Sequence, residues 1–407
     1  MGNRWMYIDF NSYFASVEQQ LDPSLRGRPV AVVPVHTDVT CAIAASYEAK
    51  AFGVKTGTPV WEAKKLCPHL VCILAKHEAY TEFHERILKE IDRHVPIDKV
   101  CSIDEVACRL MDNESRNAGE LAGKIKRGLR ENVGECLRCS IGIAPNRYLA
   151  KVATDMKKPD GLIFIHPEDL PQILYSLKLR DLPGIGANRE VRLKSRGILD
   201  VKMLCSLNSQ QMRKAWGSVE GEQMWHHLQG IDLPDKETER RSLGHSRVLP
   251  PELRHPDEAR TVGRRLTAKV ASRLRRTGLA ASKMSLSVSL EETGSFELDR
   301  ACDQVDDHLT FLSLFQDMWN QIIHLTGSAK MKKISIVLSK LEPACSEQRE
   351  FFADDSREKR KKISQALDSI NQKYGKDSIS FGTLSDDSFS GTKIAFTRIP
   401  DKQEFLE

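Results

Sequence analysis

Long apolar runs are missing from this chain of 407 residues, which removes any helix able to span a bilayer. The start, Met1-Gly2-Asn3-Arg4-Trp5, leads straight into a strand-like stretch without the apolar region of a signal peptide. A cytoplasmic location is the expectation. Excess charge is also small: 61 Lys and Arg against 56 Asp and Glu leave a net +5. Such a balance permits nucleic-acid binding without showing it, so the placement of the cations matters more than their number. The ten cysteines are scattered, mostly in apolar stretches such as Val100-Cys101 and Val106-Ala107-Cys108. That pattern suits reduced, buried thiols better than a disulfide framework. Cys136 and Cys139 form a single CxxC with no second pair and no histidines at finger-like spacing, which weighs against zinc.

What the chain does have is acid at the ends of short apolar strands. Residues 5–10 read Trp-Met-Tyr-Ile-Asp-Phe, and residues 101–106 read Cys-Ser-Ile-Asp-Glu-Val. Asp9, Asp104 and Glu105 therefore end or turn strands that are far apart in sequence. A sheet brings such carboxylates together to hold divalent cations, and two cations about 4 Å apart can clamp both oxygens of a phosphoryl transfer. A single acid after a strand is more often a solvated turn residue.

Length suggests two to four domains. Asn11 to Gln20 has helical spacing through Phe14, Val17 and Leu21, and Val30 to Val33 reads as a short buried strand. Ala42 to Ala51 passes from strand to helix. Glu78 to His94 places Tyr80, Phe83, Ile87, Leu88 and Ile91 on one helical face. A helix (118–133), a strand (139–143) and a helix (147–156) follow the hairpin at Asp104. This β-α-β-β-α-β order predicts an antiparallel or mixed sheet with helices on one face.

A second unit begins near Leu177. Leu182-Pro183-Gly184-Ile185-Gly186 precedes a helix carrying Arg189, Arg192 and Lys194, and reads as a helix–hairpin–helix. Its glycines allow a tight turn, and backbone N–H groups at the next helix start can hold a DNA phosphate. An ordinary glycine-rich turn is the competing reading. A charged linker spans 233–241. The third unit, from Ser242, carries a predicted helix over 259–283 with Arg260, Arg264, Arg265, Lys269, Arg273, Arg275, Arg276 and Lys283 opposite an apolar stripe of Val262, Leu266, Val270 and Leu274. Phosphate contact is the favoured reading of that face over a merely solvated one. Strand-like runs at 283–290 and 333–338 bracket a predicted helix over 304–325. From about Pro343 the tail is charged and expected to be partly disordered. Within it, Gln348, Phe351 and Phe352 suggest a peptide that docks in a partner's apolar groove, or side chains that pack on the chain's own core.

These motifs together resemble the Y-family translesion DNA polymerases along nearly the whole chain. The resemblance rests on Ile8-Asp9-Phe10, Phe14-Ala15-Ser16-Val17-Glu18, the run Tyr47 to Val54, Ser102-Ile103-Asp104-Glu105, the run Ser140 to Ala144, the run Asp155 to Gly161, and Leu182 to Gly186, in that order and spacing. It implies an α+β right-hand polymerase: a palm with inserted fingers (1–175, fingers about 19–76), a helix-hairpin-helix thumb (176–232), a linker (233–241), a little finger (242–343) and a tail (344–407). It implies two Mg²⁺ ions on Asp9, Asp104, Glu105 and the Phe10 carbonyl. Tyr13, Tyr47, Lys50 and Lys158 match triphosphate-binding positions, and Phe14 matches the gate that rejects a 2′-hydroxyl by clash. Gly184, Gly186, Arg264, Arg265, Lys269 and Arg273 become DNA contacts, and Gln348, Phe351 and Phe352 a sliding-clamp peptide.

Ala44 and Lys50 stand where the DinB branch usually has Thr and Arg, as in the UmuC branch, whereas Tyr47 and the run Asp155 to Pro159 look DinB-like. UmuD-like and RecA-like partners and a nucleoid-associated location follow as expectations. No motif set for a proofreading exonuclease is present, so low fidelity is expected. Val39, Thr40, Ala42 and Thr58 are candidates for the surface over the templating base. Two other readings compete. One is a non-catalytic, DNA- and clamp-binding scaffold, which would be expected to have lost the carboxylates. The other is a nucleotide cyclase, which has no use for the hairpin or the basic module.

Overall fold

The computed structural model describes residues 2–235, 241–292, 294–344, 355–375 and 378–381. The chain divides into two compact units, the first ending at Asp235. In the first, strands β1 (Trp5–Phe10), β2 (Val30–Val33), β3 (Ala44–Ala45), β4 (Val71–Leu74), β5 (Ile97–Ser102), β6 (Glu105–Arg109), β7 (Cys139–Ala144) and β8 (Leu162–Phe164) form two sheets. The larger has the order β5-β6-β1-β7-β8 and is mixed, with only β7 and β8 parallel. The smaller is β3-β2-β4. Beside it lie the short helices Tyr47–Ala51 and Val60–Leu66, over a core of Ala45, Ala49, Val54, Ala63 and Cys67.

Helices cover both faces of the larger sheet, which corrects the expectation of one. Met6, Ile8 and Phe10 pack with residues of the helices His77–Asp92 and Ala118–Asn132. Trp5 and Tyr7 join the other core, with the helix Arg147–Met156 and the small helices that follow Leu170. Alternate residues of a strand face opposite ways, so a strand apolar on both parities is walled in on both sides. Each apolar side chain so buried contributes roughly 1.5–3 kcal/mol. The helix Arg147–Met156 lies close on β7 because of Gly142, where a Cβ would run into the backbone of Ala150 and Thr154. Its start is fixed by Asn146, whose side chain accepts the Leu149 N–H at 2.8 Å.

The second unit is one antiparallel sheet, β11-β10-β12-β9, built from β9 (Ser242–Val248), β10 (Leu279–Leu290), β11 (Ser295–Val305) and β12 (Met331–Pro343). Helices Pro256–Arg276 and His308–Thr326 cover one face over Phe311, Phe315, Leu286 and Ile336. Three expectations are corrected here. The basic helix spans Pro256–Arg276, not 259–283: Gly278, at φ +66°, breaks it, and Lys283 lies in β10. The next helix starts at His308 rather than Gln304, since Asp307 caps it by accepting the Thr310 N–H. The charged tail contains a helix, Asp355–Tyr374. It is anchored because Asp368 accepts from Ser272 at 2.8 Å and Arg275 at 2.7 Å, and buried Ser364 accepts the His308 N–H at 3.0 Å. Gln348, Phe351 and Phe352 lie outside the described residues.

Candidate active site

Strand pairing joins the three acids. In the β1–β6 ladder Asp9 stands directly opposite Glu105, and the Phe10 N–H donates to the Asp104 carbonyl at 2.9 Å. Asp104 sits in the tight turn between β5 and β6, where it accepts from the Ser102 hydroxyl at 2.6 Å. Burial raises the Asp104 pKa above the ordinary carboxylate range, against the Ser102 hydrogen bond, and the neighbouring charges of Asp9 and Glu105 add to the rise. Gathering like charges around the buried Asp9 is costly, and nearby cations offset the repulsion.

Those cations come from the helix Arg147–Met156 and the loop after it. The Lys151 ammonium contacts Asp9 Oδ2, Glu105 Oε1 at 2.8 Å and Asp155 Oδ2 at 3.4 Å. Lys158 bridges Asp9 Oδ2 at 2.8 Å and Asp155 Oδ1 at 2.7 Å. For both lysines burial favours the neutral amine, but the carboxylates, Asp9 foremost, outweigh it and hold the pKa above normal. The Tyr7 hydroxyl donates to Glu105 Oε2 at 2.9 Å and so orients that carboxylate. The donors are all hard oxygens, and ammonium groups already stand among them as cations. This set fits Mg²⁺.

Lys151, Asp155 and Tyr7 were not singled out from the sequence. Signals existed: Tyr7 shares a strand face with Asp9, and Lys151, Asp155 and Lys158 recur at spacings of four and three along a helix and its end.

Around this centre lie the residues assigned to nucleotide. Phe14 stacks on Tyr80, with ring centroids 4.4 Å apart and planes 15° apart, and meets His77 edge-on at 6.0 Å. Tyr80 is pinned by its hydroxyl to Glu18 Oε1 at 2.7 Å, and Lys76 pairs with the other Glu18 oxygen at 2.7 Å. The gate candidate therefore stands on a rigid base. Lys50 donates to Ser12 Oγ at 2.7 Å and lies 4.4 Å over the Tyr47 ring. Burial and the nearby Lys158 lower its pKa, while burial raises that of Tyr47. Tyr13 differs from the others. Its hydroxyl donates to the Tyr80 carbonyl at 2.6 Å inside the core, which leaves backbone N–H at the start of the helix Tyr13–Leu21 for any nucleotide contact.

The DNA candidates fall in two places. Gly184 takes φ +88° in the hairpin, and Gly186 starts the helix Ala187–Lys194. Together with Ala187, Asn188, Arg189 and Arg192 they line a shallow cavity. Arg264, Arg265, Lys269 and Arg273 are half-buried on the helix Pro256–Arg276. Arg275, on the same helix, is spent internally on Asp368 and the Asp306 carbonyl. The sheet face away from the helices carries Ser285, Ser287 and Ser335 with Lys283 and Lys333, a second open surface that the helical charge pattern does not reveal.

Comparison with known proteins identifies the framework. Residues 8–155 match the impB/mucB/samB family, residues 240–351 that family's C-terminal domain, and residues 180–232 a thumb domain described for DNA polymerase-iota. DNA polymerase IV of Bacillus velezensis is 31% identical over 93% of this chain and 92% of its own length. DNA polymerase IV 1 of Bacillus subtilis is 32% identical over 95% of this chain and 94% of its own. The chain belongs to the Y family of translesion DNA polymerases. Its fold agrees. The Y-family chimera Dbh-Dpo4(243-245)-Dbh superposes with a TM-score of 0.71 at 24% identity, covering 83% of this chain and 98% of that one. A ternary complex of Dbh DNA polymerase gives 0.54 at 24% identity, covering 82% and 98%. This Y-family enzyme is thus a DNA-directed DNA polymerase, and the scaffold reading is not favoured. No helix among the described residues is long and apolar enough to cross a membrane.

Proposed function

We propose that the enzyme adds deoxynucleotides to a primer 3′-hydroxyl at the centre formed by Asp9, Asp104 and Glu105. One observation carries this: antiparallel pairing sets Asp9 against Glu105 with Asp104 in the adjoining turn. These carboxylates and the Phe10 carbonyl would hold two Mg²⁺ ions. When bound, Mg²⁺ lowers the pKa of a hydroxyl and neutralises charge on a triphosphate. The protein's own groups do the rest. Tyr7 fixes the rotation of Glu105. Lys50, Lys158 and the Tyr47 hydroxyl bind triphosphate oxygens, with backbone N–H at Tyr13 beside them. Phe14, backed by Tyr80, excludes a ribose 2′-hydroxyl. Gly184 and Gly186 hold a backbone phosphate of the duplex, and Arg264, Arg265, Lys269 and Arg273 contact further phosphates. Gln348, Phe351 and Phe352 bind a sliding clamp, and the enzyme works in the bacterial cytoplasm at the nucleoid. UmuD-like and RecA-like partners belong to the same reading.

Primer extension with Mg²⁺ and four dNTPs tests it. Wild type extends distributively, while Asp104→Asn/Glu105→Gln binds primer–template and loses at least roughly thousandfold in rate. Full activity in that variant would move the metal site elsewhere. The same assay run with a sliding clamp and across a salt series tests the outlying contacts. Phe351→Ala/Phe352→Ala abolishes clamp stimulation alone, and Arg264→Gln/Arg265→Gln flattens the salt dependence of DNA binding.

A further inference from the structure

Lys151 touches three of the four carboxylates at this centre, yet neither the phosphoryl transfer nor triphosphate binding was assigned to it. It projects from the helix Arg147–Met156 with its side chain 19% exposed. Its ammonium contacts Asp9 Oδ2 and lies 2.8 Å from Glu105 Oε1. The remaining Glu105 oxygen, Oε2, is taken by the Tyr7 hydroxyl at 2.9 Å. Of the two Glu105 oxygens, the one Lys151 holds is therefore the one left to face a cation, and on Asp9 Oδ2 Lys151 stands beside Lys158, which lies 2.8 Å from the same oxygen.

An ammonium has no lone pair and cannot share an oxygen lobe with a metal ion at bonding distance. Mg²⁺ sits 2.0–2.1 Å from its oxygens and demands near-ideal octahedral geometry. The Lys151 ammonium would compete with a divalent ion held by the oxygens it contacts, for their lone pairs and for the same small space. The helix supplies a place for it to go. Asp155 lies one turn along the same helix, already 3.4 Å from the Lys151 nitrogen through Oδ2. Lys158 holds the other Asp155 oxygen, Oδ1, so that carboxylate is kept aimed at the centre. The close seat of the helix on Gly142 keeps Lys151 from withdrawing with its backbone. The exchange has to occur by side-chain rotation.

We propose that Lys151 is a built-in counter-cation that competes with divalent metal for Asp9 and Glu105 and transfers to Asp155 when metal binds. It neutralises the carboxylates in the absence of substrate and raises the metal concentration at which the centre fills. The inference rests on the assignment of Asp9, Asp104 and Glu105 as metal ligands.

The test is direct Mn²⁺ binding, followed by electron paramagnetic resonance, on the full chain with primer–template. Lys151→Met keeps the length of the side chain without its charge. Lys157→Met removes a nearby exposed charge that contacts none of these carboxylates, and serves as the control. Lys151→Met should tighten Mn²⁺ by about tenfold, the size expected for losing a charge-assisted contact, with a much smaller change in Lys157→Met. Lys151→Met should also melt lower than wild type in EDTA and recover in Mg²⁺. Lys151→Arg retains the competing charge and should bind Mn²⁺ no more tightly than wild type, which holds the proposal to account if the Met variant fails to fold. Equal tightening in the Lys151→Met and Lys157→Met variants, or tighter binding by Lys151→Arg, overturns the competition. Wild type that binds no Mn²⁺ overturns the metal assignment as well.

Discussion

Strand β1 is buried along all six residues, and Asp9 is its one acid. Strand β11, in the other unit, alternates exposed and half-buried positions, and Glu297, Asp299 and Asp303 fall on the exposed ones. Both strands carry aspartate, but one is an apolar run with a single acid and the other opens on alternating polar and apolar residues. Asp299 pairs with Lys283 and accepts from Ser285, all near solvent, where such contacts are worth little. Asp9 is 4% exposed and is matched by half-buried Lys151, by Lys158 and by a facing carboxylate. Acid on an alternating strand serves solubility. Acid at the end of a strand walled in on both faces costs stability, which is the physical ground for the proposal that Asp9 serves chemistry.

The comparison can be broken by substitutions at graded distance from Asp9. Among substitutions that spare the carboxylates, the largest effect is expected just beyond β1, where Phe14 stands on Tyr80. Phe14→Ala should lower the preference for deoxyribonucleotide over ribonucleotide by roughly a hundredfold, read from single-nucleotide kinetics with both. An unchanged ratio would assign the gate to another side chain. Next comes Tyr7→Phe, which removes only the hydroxyl on Glu105. A loss of roughly tenfold in kcat is expected, with little change in KM for dNTP and a higher Mg²⁺ requirement. A fall in thermal stability with unchanged metal requirement would reduce Tyr7 to a packing role. The smallest effect belongs to β11. Glu297→Gln/Asp299→Asn should change unfolding stability by no more than about 0.5 kcal/mol and leave the extension rate on undamaged template within about a factor of two. A large loss of activity there would erase the distinction between the two strands.

The residues of the candidate centre were legible before any fold was known. Each signal lay within a few consecutive residues: an acid closing an apolar strand, the pair Asp104-Glu105 in a hairpin, two glycines before a basic helix. Helix ends were less legible. The stripe Val262, Leu266, Val270 and Leu274 ends at Gly278, whose left-handed backbone stops the helix, but the cations run on to Lys283 and hide that end. The charged tail reads as disordered because its helix is held by Asp368, whose partners lie 96 and 93 residues away, and by Ser364, whose partner lies 56 residues away. Charge pattern alone also made the helix Pro256–Arg276 look wholly available to phosphate, although Arg275 is committed inside the module.

By itself the sequence determined which acids close the strands, which aromatic follows them, and the family to which they belong. Those depend on residue type and near-neighbour spacing, which a linear chain displays. Only the tertiary structure decided that Tyr7 reaches Glu105 across 98 residues, that Lys151 reaches Asp9 across 142, and that the Tyr13 hydroxyl turns inward to Tyr80. Such contacts arise from strand register and from a helix seated against Gly142. No local pattern encodes them, because the energy that holds them comes from burying surfaces distant in sequence.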